Sequence, residues 1–573
     1  MENKKLQPNS RILKFEQPSE YFNRRALRQL GKSDLWGALG SLRLALEKDT
    51  KSASYRMSVA EVLAQMGLYE LSSDMLFHVL VTKTGDDAQC FFALASNFFA
   101  LRMASLSHDC IANYLRLEPN GEFAPDCEEM LFILEQEMGE AELAPVAMRS
   151  AEDGKRALDE GDYLEAIQKL SSALEIDPGI AYARNNLALA YFCVQDTEKA
   201  VTEAEKSLEK DEGDVFALCN MAIFMNSKGD VEKASQYLER AAEQPNLGDD
   251  ELYKLCITSA DLQLHSKAVG YSQEILKFSP YDENVLFLQA LAQYNSGNYS
   301  SAYRAISRLL LLEPQSAVYQ HVMQRISAAL SDPEKAHGPL EYAFSLPAGE
   351  AVSRFDEIRK FMALPRDEAA QRLENDERTY VNLLWCFSLE DSDIKYDLAL
   401  HLASMGCEKG ILIILMMLVS LEQTDDFKKT LVMALYAQDI AKPPYHAVLG
   451  DNIAEIRLKK ALSRDSRIPV GYERVIHQVL ADEMMRNHDE VTGLALQLWV
   501  AYMVTFEGKR IPPIRNEHSW VASVIYAALK LKGKKADAKK IAQRFKTREF
   551  LVLRRYEMFK KIYEQVSKEH EYI

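Results

Sequence analysis

Between residues 147 and 316 the apolar positions fall three and four apart in stretches of about a dozen residues, the spacing that gives an α-helix one buried face, and the stretches come in pairs. The run "DEGDYLEAIQKLSSALEIDP" (159–178) shows what breaks the bulky pattern: Ala166 and Ala173 sit inside it, Gly161 precedes it and Pro178 closes it. Small residues recur in register with Ala166 at Ala200, Ala234, Ala268 and Ala302, each 34 residues after the last, with no insertion. Twelve positions upstream of each marker stands a second small residue: Gly154, Ala188, Ala222, Cys256 and Ala290. The same pair returns nearer the N-terminus as Ala26 with Ala38, Ala60 with Ser72, and Ala95 with Ser107. Eight units therefore share one frame, over 19–121 and 147–316, with the 25 residues 122–146 between the third and the fourth.

The period predicts an antiparallel helix pair per unit, each helix of roughly 12 to 15 residues, because a self-similar unit of this length is one supersecondary element that buries its apolar face only by stacking. Gly161, Gly229 and Gly297 are placed to end the first helix with a positive φ. Pro178, Pro280 and Pro314 close the second, since proline cannot continue the hydrogen-bond ladder. The small pair marks where the two helix axes cross closely, a contact that a larger side chain would overpack.

These residues resemble the tetratricopeptide repeat family, whose period is 34 and whose pattern has small residues at positions 8, 20 and 27 and a proline at 32. The match runs over 147–316 and, more loosely, over 19–121; position 4 lacks tryptophan throughout, and position 27 is Ile275 and Leu309 in the last two units. The resemblance implies an all-α fold, a right-handed superhelical solenoid in which the first helix of each unit lines a concave groove that takes an extended peptide or a partner helix. At the groove positions stand Tyr182, Asn185, Asn186, Phe216, Asn220, Lys254, Phe287 and Tyr294. Asn186 and Asn220 share position 6 one repeat apart, so they form either a short ladder that pairs with a peptide backbone, an amide being able to donate and accept at once, or simply half-exposed polar positions. Lys155 and Lys254 lie in units that are not adjacent, which argues against a cluster of cations converging on an acidic chain end.

Residues 1–18 read as an N-terminal extension, and 317–504 keep a helical pattern without the 34 period, broken by Gly406, Pro443 with Pro444, and Pro469. Charge separates one more region. The chain carries a net −17, but residues 505–573 hold 17 Lys and Arg against 8 Asp and Glu, leaving 51 against 77 elsewhere. Gly533 stops one helix of this basic module, Asp537 is placed to cap a second, and a third starts near Glu549. The module resembles the helix-turn-helix at the end of cyclin-like and bacterial regulator domains, except that Lys546 occupies the turn position usually taken by glycine. That resemblance implies that Arg548, Arg554, Arg555, Lys560 and Lys561 face phosphates; the alternative is a basic helix pair docked on the acidic body.

No apolar leader is visible at the N-terminus, and "ILIILMMLVSL" (411–421) is shorter than the roughly 20 residues a membrane span takes, so a buried helix and a cytoplasmic chain are expected. The eight cysteines are scattered singly and read as small buried hydrophobes of a reducing compartment. There is no phosphate-binding or nucleophile-elbow motif and no metal-ligand spacing. The reading is a non-enzymatic scaffold with no cofactor and no small-molecule substrate, whose partner is another protein or peptide, with nucleic acid as the alternative ligand of the basic module. Ala234→Leu is expected to lower the stability of the array by about 1–3 kcal/mol through overpacking at the helix crossing; thermal unfolding of the variant within error of the wild type would remove that crossing from position 234.

Overall fold

The computed structural model describes residues 17–82, 87–141, 146–332, 338–389, 393–438, 445–456, 471–480, 489–504 and 516–569, with Asp482, Met485 and Ile514 between them; most of the expected extension 1–18 lies outside the described residues. The chain divides into two compact units, the first of residues 1–79 and 85–348, the second of residues 349–573 with 80–84.

Helix pairs follow the sequence frame. Repeat 1 joins α1 (Ser19–Leu30) to α2 (Leu35–Lys48), repeat 2 α3 (Ala53–Gln65) to α4 (Tyr69–Thr82), and repeat 3 α5 (Ala88–Ala100) to α6 (Ala104–Leu117). The intervening stretch forms α7 (Ala124–Ala141). Repeat 4 joins α8 (Val146–Asp159) to α9 (Tyr163–Ile176), repeat 5 α10 (Ala181–Cys193) to α11 (Thr197–Lys210), and repeat 6 α12 (Val215–Ser227) to α13 (Val231–Ala242). Repeat 7 is α14 (Asp249–Asp261) with α15 (His265–Phe278), and repeat 8 is α16 (Glu283–Asn295) with α17 (Tyr299–Leu312), followed by α18 (Ala317–Ser331).

The small positions are buried at the crossings, Ala166, Ala188, Ala200, Ala222, Cys256, Ala290 and Ala302 completely. All eight turns place a left-handed residue at the same point of the frame, and only four of them are glycine: Gly67, Gly161, Gly229 and Gly297, against Ser33, Arg102, Gln195 and Gln263. The residue that follows often caps the second helix, as Asp34, Asp162, Asp196 and Asp230 do by accepting from the backbone N–H three residues on.

Repeat 1 also packs on repeat 8. Ala38, Leu39 and Leu42 of α2 share one apolar core with Ile306, Leu309 and Leu312 of α17. Arg43 donates to the carbonyls of Leu311 (2.9 Å) and Leu312 (2.5 Å), placing a cation at the negative end of the α17 dipole. Burial pushes this guanidinium down to about 10, against the opposing pull of Glu313. Trp36 meets Tyr281 at 5.6 Å between ring centroids, and Arg308 lies over its ring.

The second unit begins with α19 (Ala348–Met362), α20 (Arg366–Asn375), α21 (Glu377–Phe387), α22 (Asp393–Met405), α23 (Glu408–Val419) and α24 (Asp425–Gln438). The apolar run at 411–421 is α23 and its exit, with Ile413, Ile414 and Leu418 in a shared core. An antiparallel hairpin of β1 (Tyr445–Leu449) and β2 (Asn452–Ile456) follows, in the register Tyr445↔Ile456 to Leu449↔Asn452. The helical reading of 317–504 did not anticipate it, although Gly450-Asp451 between the apolar residues Ala447 to Leu449 and Ile453 is a two-residue hairpin signal. Then come α25 (Gly471–Leu480), α26 (Asp489–Val504), α27 (Glu517–Leu531), α28 (Ala538–Arg544) and α29 (Glu549–Glu569), around a core of Tyr472, Trp499, Val524 and Phe559.

The turns supply a paired test. Nothing lies within 4 Å of a Cβ built on Gly229, whose φ is +81°, so Gly229→Ala meets only the backbone cost of the left-handed region and is expected to destabilise by about 1–2 kcal/mol. Gln263 sits at φ +57° and carries that cost already, so Gln263→Gly is expected to raise the melting temperature. Shifts of the same sign for the two variants would contradict a shared left-handed turn.

Candidate functional site

The residues proposed to line the groove fall into three groups. Asn185 and Asn220 are buried and bonded to the protein itself. The Asn185 amide donates to the Asp214 carboxylate (2.8 and 3.1 Å) and accepts from Ser207 Oγ (2.9 Å), and Asp214 in turn caps α12 by accepting from Ala217 N–H. Asn220, only 2% exposed, donates to the Asn185 carbonyl at 3.0 Å. Its Oδ1 is buried with no hydrogen bond. These side chains stitch repeat 5 to repeat 6. The expectation of an accessible position 6, as a ladder or as a half-exposed polar residue, is therefore corrected for Asn220: its bond to the Asn185 carbonyl takes it into the packing between repeats.

Phe287 and Tyr294 form the second group. Both are in the core of repeat 8, Phe287 against Tyr319 and Phe344 and Tyr294 against Tyr299. They pack the chain against itself instead of standing open as anchors.

The third group is accessible. Tyr182 is 46% exposed, while Asn186, Phe216 and Lys254 are half-buried. Burial raises the Tyr182 phenol above its ordinary value, and the negative charges of Asp159 and Glu152 on α8 add to this. Lys254 makes no hydrogen bond or ion pair among the described residues. Burial lowers its ammonium below the ordinary value; Cys219 and Asp261 pull the other way, and Lys155 pushes further down. Lys155, which pairs with Asp159, thus acts electrostatically on a lysine three repeats away.

In the C-terminal module Lys546 takes the left-handed conformation (φ +50°) in place of a glycine, and Thr547 N–H reaches back to the Ala542 carbonyl at 2.8 Å, so the tight turn forms. Asp537 caps α28 through Lys539 and Lys540 N–H. Arg555 does not face outward. Its guanidinium lies 3.8 Å from the centroid of Trp520 and donates to Ser519 Oγ at 2.7 Å, and burial brings it down to about 10. Arg548, Arg554, Lys560 and Lys561 are exposed. Arg544 pairs with the buried Asp482 (2.8 Å) and Arg474 with Glu517 (3.3 Å), so basic residues of this unit are engaged with its own acidic ones.

Among the described residues no group of His, Cys, Asp and Glu could hold a metal ion, and no helix is long and apolar enough to cross a membrane. The cysteines are unpaired thiols, buried except for the partly exposed Cys193 and Cys407.

No protein-family model matches the chain. Over 198 residues it is 25% identical to the TPR repeat-containing protein YvcD of Bacillus subtilis (strain 168), a match that covers 34% of this chain and 40% of that protein. The chain thus spans less than half the length of this curated relative. Among solved structures it is similar to the TPR domain of P58(IPK), with 15% identity over 55% of this chain and 99% of that one at a TM-score of 0.23. It is similar too to YrrB, a TPR protein described as having an unusual peptide-binding site, with 21% identity over 29% of this chain and 87% of that one at a TM-score of 0.24.

The two position-6 asparagines should separate in a melting experiment. Asn220→Ala removes a buried inter-repeat hydrogen bond and is expected to cost about 1 kcal/mol, whereas Asn186→Ala should leave thermal unfolding within error of wild type. Equal shifts for the two would place both asparagines in the same environment.

Proposed function

We propose that this chain, a tetratricopeptide-repeat protein, acts without catalysis of its own and holds a segment of another protein on the concave face of repeats 4 to 7. The observation that carries this reading is the set of accessible side chains at groove positions of successive repeats: Tyr182 and Asn186 in repeat 5, Phe216 in repeat 6, and in repeat 7 Lys254, whose ammonium makes no hydrogen bond or ion pair among the described residues. A carboxylate or carbonyl supplied by a partner would pair with that ammonium in a charge-assisted hydrogen bond. Tyr182 and Phe216 present accessible ring surface at the same groove positions of neighbouring repeats, and aromatic anchors of this kind concentrate binding energy. Asn186 adds an amide able to pair with main chain. In the C-terminal module Arg555 is turned onto Trp520 and Arg544 onto Asp482, so these two cations are engaged within the unit, while Arg548, Arg554, Lys560 and Lys561 stay exposed.

Photo-crosslinking in the full-length chain tests this. A benzoylphenylalanine in place of Tyr182 should cross-link a partner in native lysate that the same group in place of Leu164, exposed on the second helix of repeat 4, does not. Lys254→Gln should lower the affinity of the purified partner about tenfold or more, as expected for loss of a hydrogen bond to a charged group. The same proteins captured from both positions, or an affinity indifferent to Lys254, would contradict the reading.

A further inference from the structure

Repeats 7 and 8 already hold a peptide, and it belongs to this chain. After α18 the residues 338–347, "GPLEYAFSLP", run without helix or strand, with Leu340, Tyr342, Phe344 and Leu346 at every second position. Each of the first three meets a helix of the repeats. Asn295, at the last turn of α16, donates from Nδ2 to the Leu340 carbonyl at 2.8 Å and accepts from Leu340 N–H on Oδ1 at 2.7 Å. One side-chain amide thus satisfies both main-chain groups of one residue, as a neighbouring strand would. Tyr342 packs into the apolar layer between α14 and α16, touching the clusters that contain Cys256, Leu288, Ala260 and Ala292. Its hydroxyl lies 2.9 Å from His265 Nδ1. Phe344, still half exposed, leans on Phe287 with ring centroids 4.7 Å apart. Leu340 and Leu346 are buried.

Phe287, Leu288 and Asn295 occupy groove positions 5, 6 and 13 of repeat 8, so the segment meets the first helix of that repeat, on the face that the proposed function takes as the receiving one. The contacts are those of peptide recognition: main-chain pairing for affinity and a pocket for an alternate side chain for specificity. We propose that this face of repeats 7 and 8 is a binding site for a protein segment with a Leu-x-Tyr-x-Phe alternation, and that residues 338–346 occupy it in cis and exclude such a partner until displaced. The inference rests on the preceding reading only in taking the first-helix face as the receiving one; it concerns different repeats and different residues.

When the competent state is only fractionally populated, apparent affinity falls by that fraction. Releasing the resident segment therefore strengthens binding in trans. The probe is a fluorescein-labelled peptide of residues 338–347, titrated into full-length chain by anisotropy. Tyr342→Ala with Phe344→Ala in the protein is expected to bind the probe at least about tenfold more tightly than wild type, and addition of Asn295→Ala should remove about tenfold or more of that affinity. Equal binding to wild type and the double variant, or no binding to either while the helical circular dichroism is retained, overturns the proposal. Should the double variant lose its helical signal, hydrogen exchange on the wild-type chain decides instead. Excess unlabelled peptide should speed exchange at the Leu340 and Tyr342 amides, and unchanged exchange at peptide excess overturns the proposal. Cross-linking from Tyr182 is blind to this exchange, so failure here leaves the reading of repeats 4 to 7 standing, and failure there leaves this one.

Discussion

Everything in the first unit depends on how closely two helices of one repeat can cross. A Cβ added to Gly154 would stand 2.6 Å from Leu170 Cγ and 3.0 Å from the Leu170 nitrogen, the second a backbone atom that cannot step aside. At the same point of repeats 2 and 3 the approach is close enough for side chains to bond the facing backbone: Ser72 Oγ donates to the Ala60 carbonyl at 2.8 Å and Ser107 Oγ to the Ala95 carbonyl at 3.0 Å. In repeat 7 the direction reverses, with the Cys256 thiol 3.5 Å from the Ala268 carbonyl. Small size is the fixed requirement, and alanine, glycine, serine and cysteine all meet it. With interiors packed to crystal-like density, that separation fixes the angle of each pair, and the angle fixes where the next repeat must stack.

This is why the solenoid was readable from the chain. Size at two positions is visible in a single sequence, and its recurrence every 34 residues leaves little choice of architecture. The turn was only half readable, because the geometry is constant while the residue is not. Glycine betrays the left-handed position at Gly161, Gly229 and Gly297, whereas Gln195 and Gln263 adopt it under compulsion from the packing on either side. The same override formed the turn at Lys546, where the lack of glycine argued against one. Local preference of about 1 kcal/mol per residue yields where helices on both sides of a turn are already anchored.

The candidate site was less legible, for a reason particular to asparagine. Asn185, Asn186 and Asn220 look alike in sequence, and an amide serves equally well to hold a partner or to hold the next repeat. Which of these occurs is set by whether a carbonyl or hydroxyl of the neighbouring repeat comes within reach, and that is a fact of stacking. Asn97 shows the same use in repeat 3, donating to Ser72 and Ser73 of repeat 2 at 2.9 and 3.1 Å. Arg555 was misjudged on similar grounds: a cation on a terminal helix reads as solvent-facing until Trp520 is known to lie beneath it. The packing of repeat 1 on repeat 8 through Arg43 joins residues 268 apart along the chain and leaves no periodic trace.

An amide at the edge of a packed layer must find both a donor and an acceptor, and the two that matter most here differ in how well they succeed. Asn220 donates but leaves Oδ1 unmet, so its environment is complete only on one side. Asn295 is satisfied on both sides, and both partners come from the single residue Leu340. The consequence is asymmetric. Withdrawing residues 338–346 would strip both hydrogen bonds from Asn295 at once and expose the layer under Tyr342, a state that polar and apolar terms alike oppose. Another main chain can restore both bonds in the same geometry, and one that carries a ring two residues on also refills the space of Tyr342. On the proposal above, the resident segment therefore sets the chemistry of a partner that replaces it.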